Sequence, residues 1–321
     1  MVLSNRKITV QAPAKINLFL HVLSKRPDGY HDLETWMQKI DLYDILELEL
    51  LSGDHIEFSS DDVSIPADET NLAVRAATAF FQVSKKRQGY GLRIKLQKKI
   101  PVAAGLGGGS SDAGAVLRGL NELFDREFSE KQLIELARPL GADVPFFAVG
   151  YDAVFATGIG DVMYPIDSVN NCSFIVVNPA FFVSTAWAFQ NLTLTTPPKN
   201  SKLSCFQKYK TGSFSLRDMH NDLEKVTCVK HPEIEYIKRS LLAVGASQVL
   251  MSGSGPTVFG VFPDTEKPVG SDLERIVGGL RQEYGEKVFL LRACTGASPS
   301  GKAPGFDPGI RRFESCRPSH H

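Results

Sequence analysis

Between Pro101 and Ala113 the chain reads PVAAGLGGGSSDA, with three consecutive glycines and two serines running straight into its clearest helical pattern. Ala113, Val116, Leu117, Leu120, Leu123 and Phe124 recur at the spacing of one face of an amphipathic helix. This pairing constrains the fold more than any other stretch. Glycines allow the backbone to turn with positive φ and to approach a neighbour or ligand closely. The helix that follows must bury its apolar face against another layer. Free N–H groups and the dipole at a helix N-terminus favour phosphate oxygens. Ser110 or Ser111 is placed to cap the helix or to contact a phosphate or Mg²⁺. The bland alternative is a flexible loop with a serine cap.

Two familiar phosphate motifs fail here. The chain contains no GxxxxGK[ST], so this is not a Walker-type loop. A GxGxxG frame starting at Gly105 meets Ser110 where the last glycine belongs, which leaves a dinucleotide fingerprint poorly supported.

Composition narrows the class. The chain has 321 residues, 43% apolar and 22% charged, enough for about two ordinary domains with real cores. Its 36 basic and 36 acidic residues cancel, giving no support for a nucleic-acid partner or an acidic membrane surface. No run approaches the length of a membrane span and the N-terminus lacks an apolar signal core, so a cytoplasmic location is expected. The five cysteines are scattered and form no CxxC pair, which fits reduced thiols. The seven histidines show no HxxxH or HxH spacing, so no protein-built metal site is expected.

Along the chain, strand and helix signals interleave without regular βαβ repeats. Strands are expected over residues 7–11, 15–23, 44–51, 92–96, 153–156, 173–177, 248–251, 258–262 and 287–292. Helices are expected over 71–83, from Ala113 to Phe124, and over 129–137, 185–191, 232–244 and 272–284. Residues 193–215 read as a variable polar loop, and Pro27-Asp28-Gly29 as a turn. The pattern fits an α+β fold. The expected division is an N-terminal domain over 1–152, a C-terminal domain over 153–296, and a disordered or vector-derived tail over 297–321.

The motif P-x-x-x-G-L-G-G-G-S-S-x-A resembles the ATP-phosphate turn of the GHMP kinase superfamily. Three further segments, PAKINL at 13–18, RPDGYHDLET at 26–35 and GADVPFF at 141–147, are similar to one branch of it, whose acceptor is a cytidine-diphospho sugar alcohol. The resemblance runs from about residue 8 to residue 295. It implies a two-domain fold, an N-terminal domain like domain 2 of ribosomal protein S5 and a C-terminal α+β sandwich, with the active site in the cleft between them. It implies ATP-dependent phosphorylation of the 2-hydroxyl of 4-diphosphocytidyl-2-C-methyl-D-erythritol, in the non-mevalonate route to isoprenoids. One departure is Ala103-Ala104, where that branch often carries more glycine; it bears only on the path of the loop.

The resemblance also assigns residues. Pro101, Val102, Ala103, Ala104, Gly105, Leu106, Gly107, Gly108, Gly109, Ser110 and Ser111 take the ATP phosphates, with Mg²⁺ carried on them. Asp143 is the base and Lys15 its partner; a carboxylate beside an ammonium is held in its charged form. Asn17, two residues beyond Lys15, shares its strand face and serves either the substrate or a structural hydrogen bond. Tyr30 and His31 recognise the cytidine, and Thr185 with Phe189 offers an aromatic partner on the other side of the base. Ser252-Gly253-Ser254-Gly255-Pro256-Thr257 is similar to a second glycine motif bordering the site, and Asn221-Asp222-Leu223-Glu224 to a structural support of the cleft. A monomer or weak homodimer is expected. The competing readings are a sibling kinase for mevalonate or homoserine, and a nucleotide-binding regulator without catalysis.

Overall fold

The computed structural model describes residues 6–87, 89–179, 181–194 and 216–295. Two long strands organise it. β1 (Lys7–Lys25) and β2 (His31–Ser52) pair antiparallel from Lys7↔Glu49 to Lys25↔His31, joined through the Pro27-Asp28-Gly29 turn. The two short strands expected over 7–11 and 15–23 are therefore one. Pro13 does not break the strand, because a register shift falls between Pro13 and Ala14. Pro13↔Tyr43 is followed by Ala14↔Ile40, which leaves Asp41 and Leu42 of β2 out of the ladder just where proline has no N–H to offer.

β3 (Ile56–Ser60) and β4 (Tyr90–Gln97) complete one side of this sheet in the order β3-β4-β2-β1. On β2, β5 (Ala153–Thr157) adds a further pairing and carries β6 (Val162–Pro165). A two-residue strand, β8 (His220–Asn221), joins the outer side of β1 in parallel. The second sheet has the order β11 (Val288–Arg292), β7 (Cys172–Val177), β10 (Val258–Pro263), β9 (Gln248–Met251), antiparallel throughout.

Helices α1 (Leu72–Val83) and α2 (Gly108–Leu123) cover the first sheet. Phe80, Val116 and Leu120 are fully buried there with Val10, Leu46, Leu48 and Ile94 from the strands. α1 starts at Asn71, whose side chain accepts from the Ala73 N–H at 2.8 Å. α3 (Glu130–Ala137) starts with a capping box between Ser129 and Gln132. α4 (Val144–Ala148) is a short helix opened by Asp143. In the second half come α5 (Thr185–Gln190), α6 (Asp222–Lys230), α7 (Glu233–Ala243) and α8 (Ser271–Tyr284).

β7 shows how the halves meet. All of CSFIVV is buried. Phe174 and Val176 pack with Ile16, Leu18 and Ile40 of the first sheet, while Ile175 and Val177 pack with Ile234, Ile237 and Leu241 of α7. A strand buried on both faces reads as a continuous apolar run, which is why alternation is missing from its sequence. The expected loop over 193–215 lies mostly outside the described residues, and the expected tail lies wholly outside them. No described helix is long and apolar enough to cross a membrane.

Candidate active site

The glycine turn is held by two left-handed residues. Gly105 has φ 76° and Gly107, the N-cap of α2, has φ 73°. Side chains are excluded at both. A Cβ on Gly105 would lie 2.2 Å from the Ser252 carbonyl oxygen, and one on Gly107 would lie 3.0 Å from the Phe147 ring and 3.2 Å from Lys15 Cγ. Ala103 also adopts a positive φ, 53°, in the place where glycine was expected by resemblance. No side chain caps the first turn of α2. Ser111 is fully buried and its hydroxyl donates to the Pro13 carbonyl at 2.7 Å, so it ties the helix to β1. Ser110 stays half-buried on the first turn, and Val102 and Gly109 are exposed. The helix begins at Gly108, five residues before the apolar pattern starts, because its first five residues, GGSSD, carry no apolar side chain to mark the period.

Lys15 lies directly against this turn. Its backbone N–H donates to the Leu106 carbonyl at 2.9 Å. Its ammonium donates to Asn17 Oδ1 at 2.6 Å and to the Gly105 carbonyl at 3.1 Å, and stands 3.7 Å from Asp143 Oδ2. The Lys15 side chain is 5% exposed and that of Asp143 is 34% exposed, so the pair points from the protein interior toward solvent. Asp143 opens α4 yet makes no side-chain cap bond, which leaves its carboxylate to Lys15. Asn17 Nδ2 donates to Thr35 Oγ1 at 2.9 Å, and Thr35 in turn donates to the Phe19 carbonyl at 2.7 Å. Of the two roles open to Asn17, the structural one is thus filled: its oxygen and nitrogen both serve neighbours in β1 and β2.

The second glycine motif closes onto the first. Ser252 Oγ donates to the Gly105 carbonyl at 2.9 Å, and the Asn17 N–H reaches the same Ser252 oxygen at 3.4 Å. Asn221 Nδ2 donates to the carbonyls of Met251 and Gly253, each at 2.7 Å. Thr35, Ser252 and Asn221 thus hold the parts of this site together; for Ser252 and Asn221 the sequence implied a border and a support of the cleft, and for Thr35 it implied no role. The available signal is that all three lie in segments already singled out: Thr35 ends RPDGYHDLET, Ser252 opens the second glycine motif and Asn221 opens the 221–224 segment.

The remaining residues gather at the far end of the β1–β2 hairpin. His31 is buried and stacks on Phe189 of α5 at 5.2 Å with 27° between the rings. Burial pushes the His31 imidazole below its ordinary value, and the Lys25 charge adds to this. Tyr30, beside it, is 60% exposed. The Thr185 and Ser254 hydroxyls are 2.8 Å apart, which ties α5 to the second glycine motif. His31 and Phe189, both expected at the cytidine site, thus meet each other directly.

Beneath the glycine turn sits a buried trio. Lys98 Nζ donates to Asp44 Oδ2 at 2.5 Å and to Asp112 Oδ2 at 3.0 Å. Asp44 Oδ1 accepts the N–H groups of Lys99 and Ile100. Burial raises the Asp112 carboxyl to about 7; Lys98 opposes the rise and Asp44 adds to it.

Two halves built around a glycine turn at a helix N-terminus, with a lysine–aspartate pair beside it, are the plan of a GHMP kinase. The family description GHMP kinases N terminal domain matches residues 71–151, and GHMP kinases C terminal matches residues 211–276. A 4-diphosphocytidyl-2-C-methyl-D-erythritol kinase of Desulfotalea psychrophila is 52% identical over 289 residues, covering 89% of this chain and 95% of that protein. Its namesake from Syntrophotalea carbinolica is 47% identical, covering 87% and 96%. A solved 4-(cytidine 5'-diphospho)-2C-methyl-D-erythritol kinase superposes with a TM-score of 0.71 at 33% identity, covering 88% of this chain and 98% of that one. The chain belongs to the 4-diphosphocytidyl-2-C-methyl-D-erythritol kinase family of the GHMP kinases.

Proposed function

We propose that this kinase transfers the γ-phosphoryl group of ATP to the 2-hydroxyl of 4-diphosphocytidyl-2-C-methyl-D-erythritol, giving the 2-phosphate and ADP for isoprenoid precursor synthesis. The observation that carries the reading is the convergence of Lys15, Asp143 and the Gly105–Ser111 turn, three segments far apart in the chain. Residues 1–152 supply the phosphate turn and the catalytic pair; residues 153–296 supply Phe189, Thr185 and the second glycine motif.

Phosphoryl transfer needs in-line positioning and charge neutralisation more than covalent chemistry. The uncapped start of α2 offers backbone N–H groups and a positive dipole end to the phosphate oxygens. Mg²⁺ enters with ATP as part of that substrate. As the acceptor oxygen bonds to the γ-phosphorus, the bond from phosphorus to the bridging oxygen breaks and ADP leaves. The acceptor proton passes to the Asp143 carboxylate. The Lys15 ammonium, fixed by Asn17 and Gly105, faces the charge that develops on the transferring group. Tyr30, His31 and Phe189 form the aromatic and polar surface for the cytosine.

ADP release measured with the cytidine-diphospho substrate, mevalonate and homoserine tests the reading. Turnover is expected with the first alone. The Asp143→Asn variant is expected to lose about 10²–10⁴-fold in kcat, the usual contribution of a positioned base, with ATP affinity little changed. Near-normal turnover of that variant would remove Asp143 from this role, and ATP binding without turnover of any of these alcohols would favour a nucleotide-binding regulator.

A further inference from the structure

Away from the Lys15–Asp143 pair, the parallel register Leu20↔Asn221 brings together residues that chain spacing never relates. His21 lies on β1, His220 on β8, and Asp222 opens α6. His21 Nδ1 is 2.6 Å from Asp222 Oδ2, and His220 Nε2 is 2.8 Å from Asp222 Oδ1. One nitrogen from each ring and a carboxylate oxygen lie within 4.8 Å of one another. We propose that His21, His220 and Asp222 form a binding site for a divalent transition-metal ion of the zinc class, with water completing the coordination.

The donor set selects the ion. Two imidazole nitrogens and one carboxylate oxygen suit zinc, cobalt or nickel, whereas magnesium and calcium take oxygen ligands. The groups are oriented before any ion arrives. Asp222 Oδ2 also accepts the Val22 N–H at 2.8 Å, which fixes the carboxylate. Phe19 lies 6.3 Å from the His21 ring and 6.1 Å from the His220 ring, backing both. Side-chain exposures of 34%, 41% and 14% for His21, His220 and Asp222 leave an entry path on the histidine side. Bound metal replaces the shared protons. Ligand atoms around tetrahedral zinc stand roughly 3.3 Å apart, from bond lengths of about 2.0–2.1 Å, so the rings turn outward by about half an ångström.

Nearby charges act in both directions. Glu34 pairs with His21 across the β1–β2 ladder and attracts a cation. Lys225 stands 4.0 Å from Asp222 and opposes one, but its side chain is 68% exposed and free to move into solvent. The site lies between β1, which carries Lys15 and Asn17, and the start of α6, where Asn221 holds the second glycine motif. An ion there cross-links the strand that bears the lysine to the segment that supports its neighbour.

The test titrates metal-stripped full-length protein with Co²⁺, read by its visible absorption, and with Zn²⁺, read by calorimetry and thermal unfolding. Because the chain also ends in His320-His321, the readout is the difference between the parent and the His21→Gln and His220→Gln variants. Each variant is first checked for parental unfolding without metal. The expected result is one Co²⁺ with a tetrahedral or five-coordinate spectrum in the parent, a rise in unfolding temperature with Zn²⁺, and about tenfold or greater weakening of both effects in each variant. Equal binding by parent and variants, or no binding by the parent, overturns the proposal and leaves a hydrogen-bonded His–Asp–His clasp.

Discussion

His31 and Phe189 lie far apart in the chain, yet their rings stack. Burial holds the imidazole below its ordinary value, which favours the neutral ring with one nitrogen as donor and one as acceptor. That is the form suited to the polar edge of a base. Tyr30 provides exposed aromatic surface beside it. Stacking of a base on an aromatic side chain is worth about 1–3 kcal/mol. Tyr30→Ala is therefore expected to raise KM for the cytidine substrate by about 5- to 160-fold while KM for ATP changes little. Steady-state kinetics with each substrate varied in turn checks this, and an equal rise in both constants would count against the assignment.

Asp112 carries a second prediction. One ammonium, Lys98, serves two buried carboxyl groups, and Asp112 Oδ1 has no hydrogen-bond partner among the described residues. Burial pushes the Asp112 carboxyl well above the ordinary carboxylate range in the folded protein, whereas the unfolded chain releases that proton near the ordinary value of 3.8. Between these values the folded state binds more protons, so this group's contribution to stability falls as pH rises. An asparagine side chain at this position mimics the protonated carboxyl and does not titrate. Asp112→Asn is expected to gain on the parent between pH 5 and pH 8, on the order of 2 kcal/mol. Urea unfolding of both proteins at the two pH values measures the gain, and a pH-independent difference would refute it.

Among the helices, α2 shows how packing overrides propensity. It contains Gly114 and Gly119 in its interior, where glycine costs about 1 kcal/mol against alanine. Both permit close approach. A Cβ on Gly114 would sit 2.5 Å from the Phe147 carbonyl carbon, and one on Gly119 would sit 2.4 Å from Leu48 Cδ1. The Arg118 guanidinium donates to the same Phe147 carbonyl, so this wall cannot retreat cheaply. Gly114→Ala is expected to destabilise by about 1–3 kcal/mol despite its better helix propensity. Gly278→Ala in α8, where nothing lies within 4 Å, is expected to gain up to about 1 kcal/mol. Opposite signs in denaturant unfolding confirm the packing argument; equal signs remove it.

The same contrast governs which elements the sequence reveals. α1 and α3 carry side-chain caps and apolar stripes, and their starts are legible. β7, β9 and β10 fall within a residue of their expected bounds, because β-rich runs are flanked there by turn residues. α6 reads only as support: its sequence DLEKVTCVK buries just Leu223 and Thr227, too few to make a stripe. The first half of β2 escapes a sequence reading as well. Its buried run from Leu33 to Ile40 includes Glu34, Thr35, Gln38 and Lys39, polar residues whose burial depends on partners elsewhere. Gln38 donates to the carbonyls of Lys39 and Asp152, and Lys39 to that of Val149.

Across the two sheets taken together, β1 is the shared member. Its first half builds the core under α2, its middle meets the second sheet through Ile16 and Leu18, and Leu20 and Val22 enter the core of the second half. Lys15 and Asn17 stand at the middle of that span, where the two glycine motifs press together at Gly105 and Ser252. The sequence held the α+β class and the glycine turn before α2, because turn chemistry, capping and apolar periodicity are local and leave their mark within a few positions; Lys15 and Asp143 stood out only through resemblance to the family. What surrounds those residues was decided by pairing over long distances. Only the fold places Asp143 beside Lys15, gives Asn17 to Thr35, stacks His31 on Phe189, and gathers His21, His220 and Asp222. The physical reason is that a side chain's role depends on what its burial leaves within hydrogen-bonding reach, and that environment comes from segments its own neighbours do not specify.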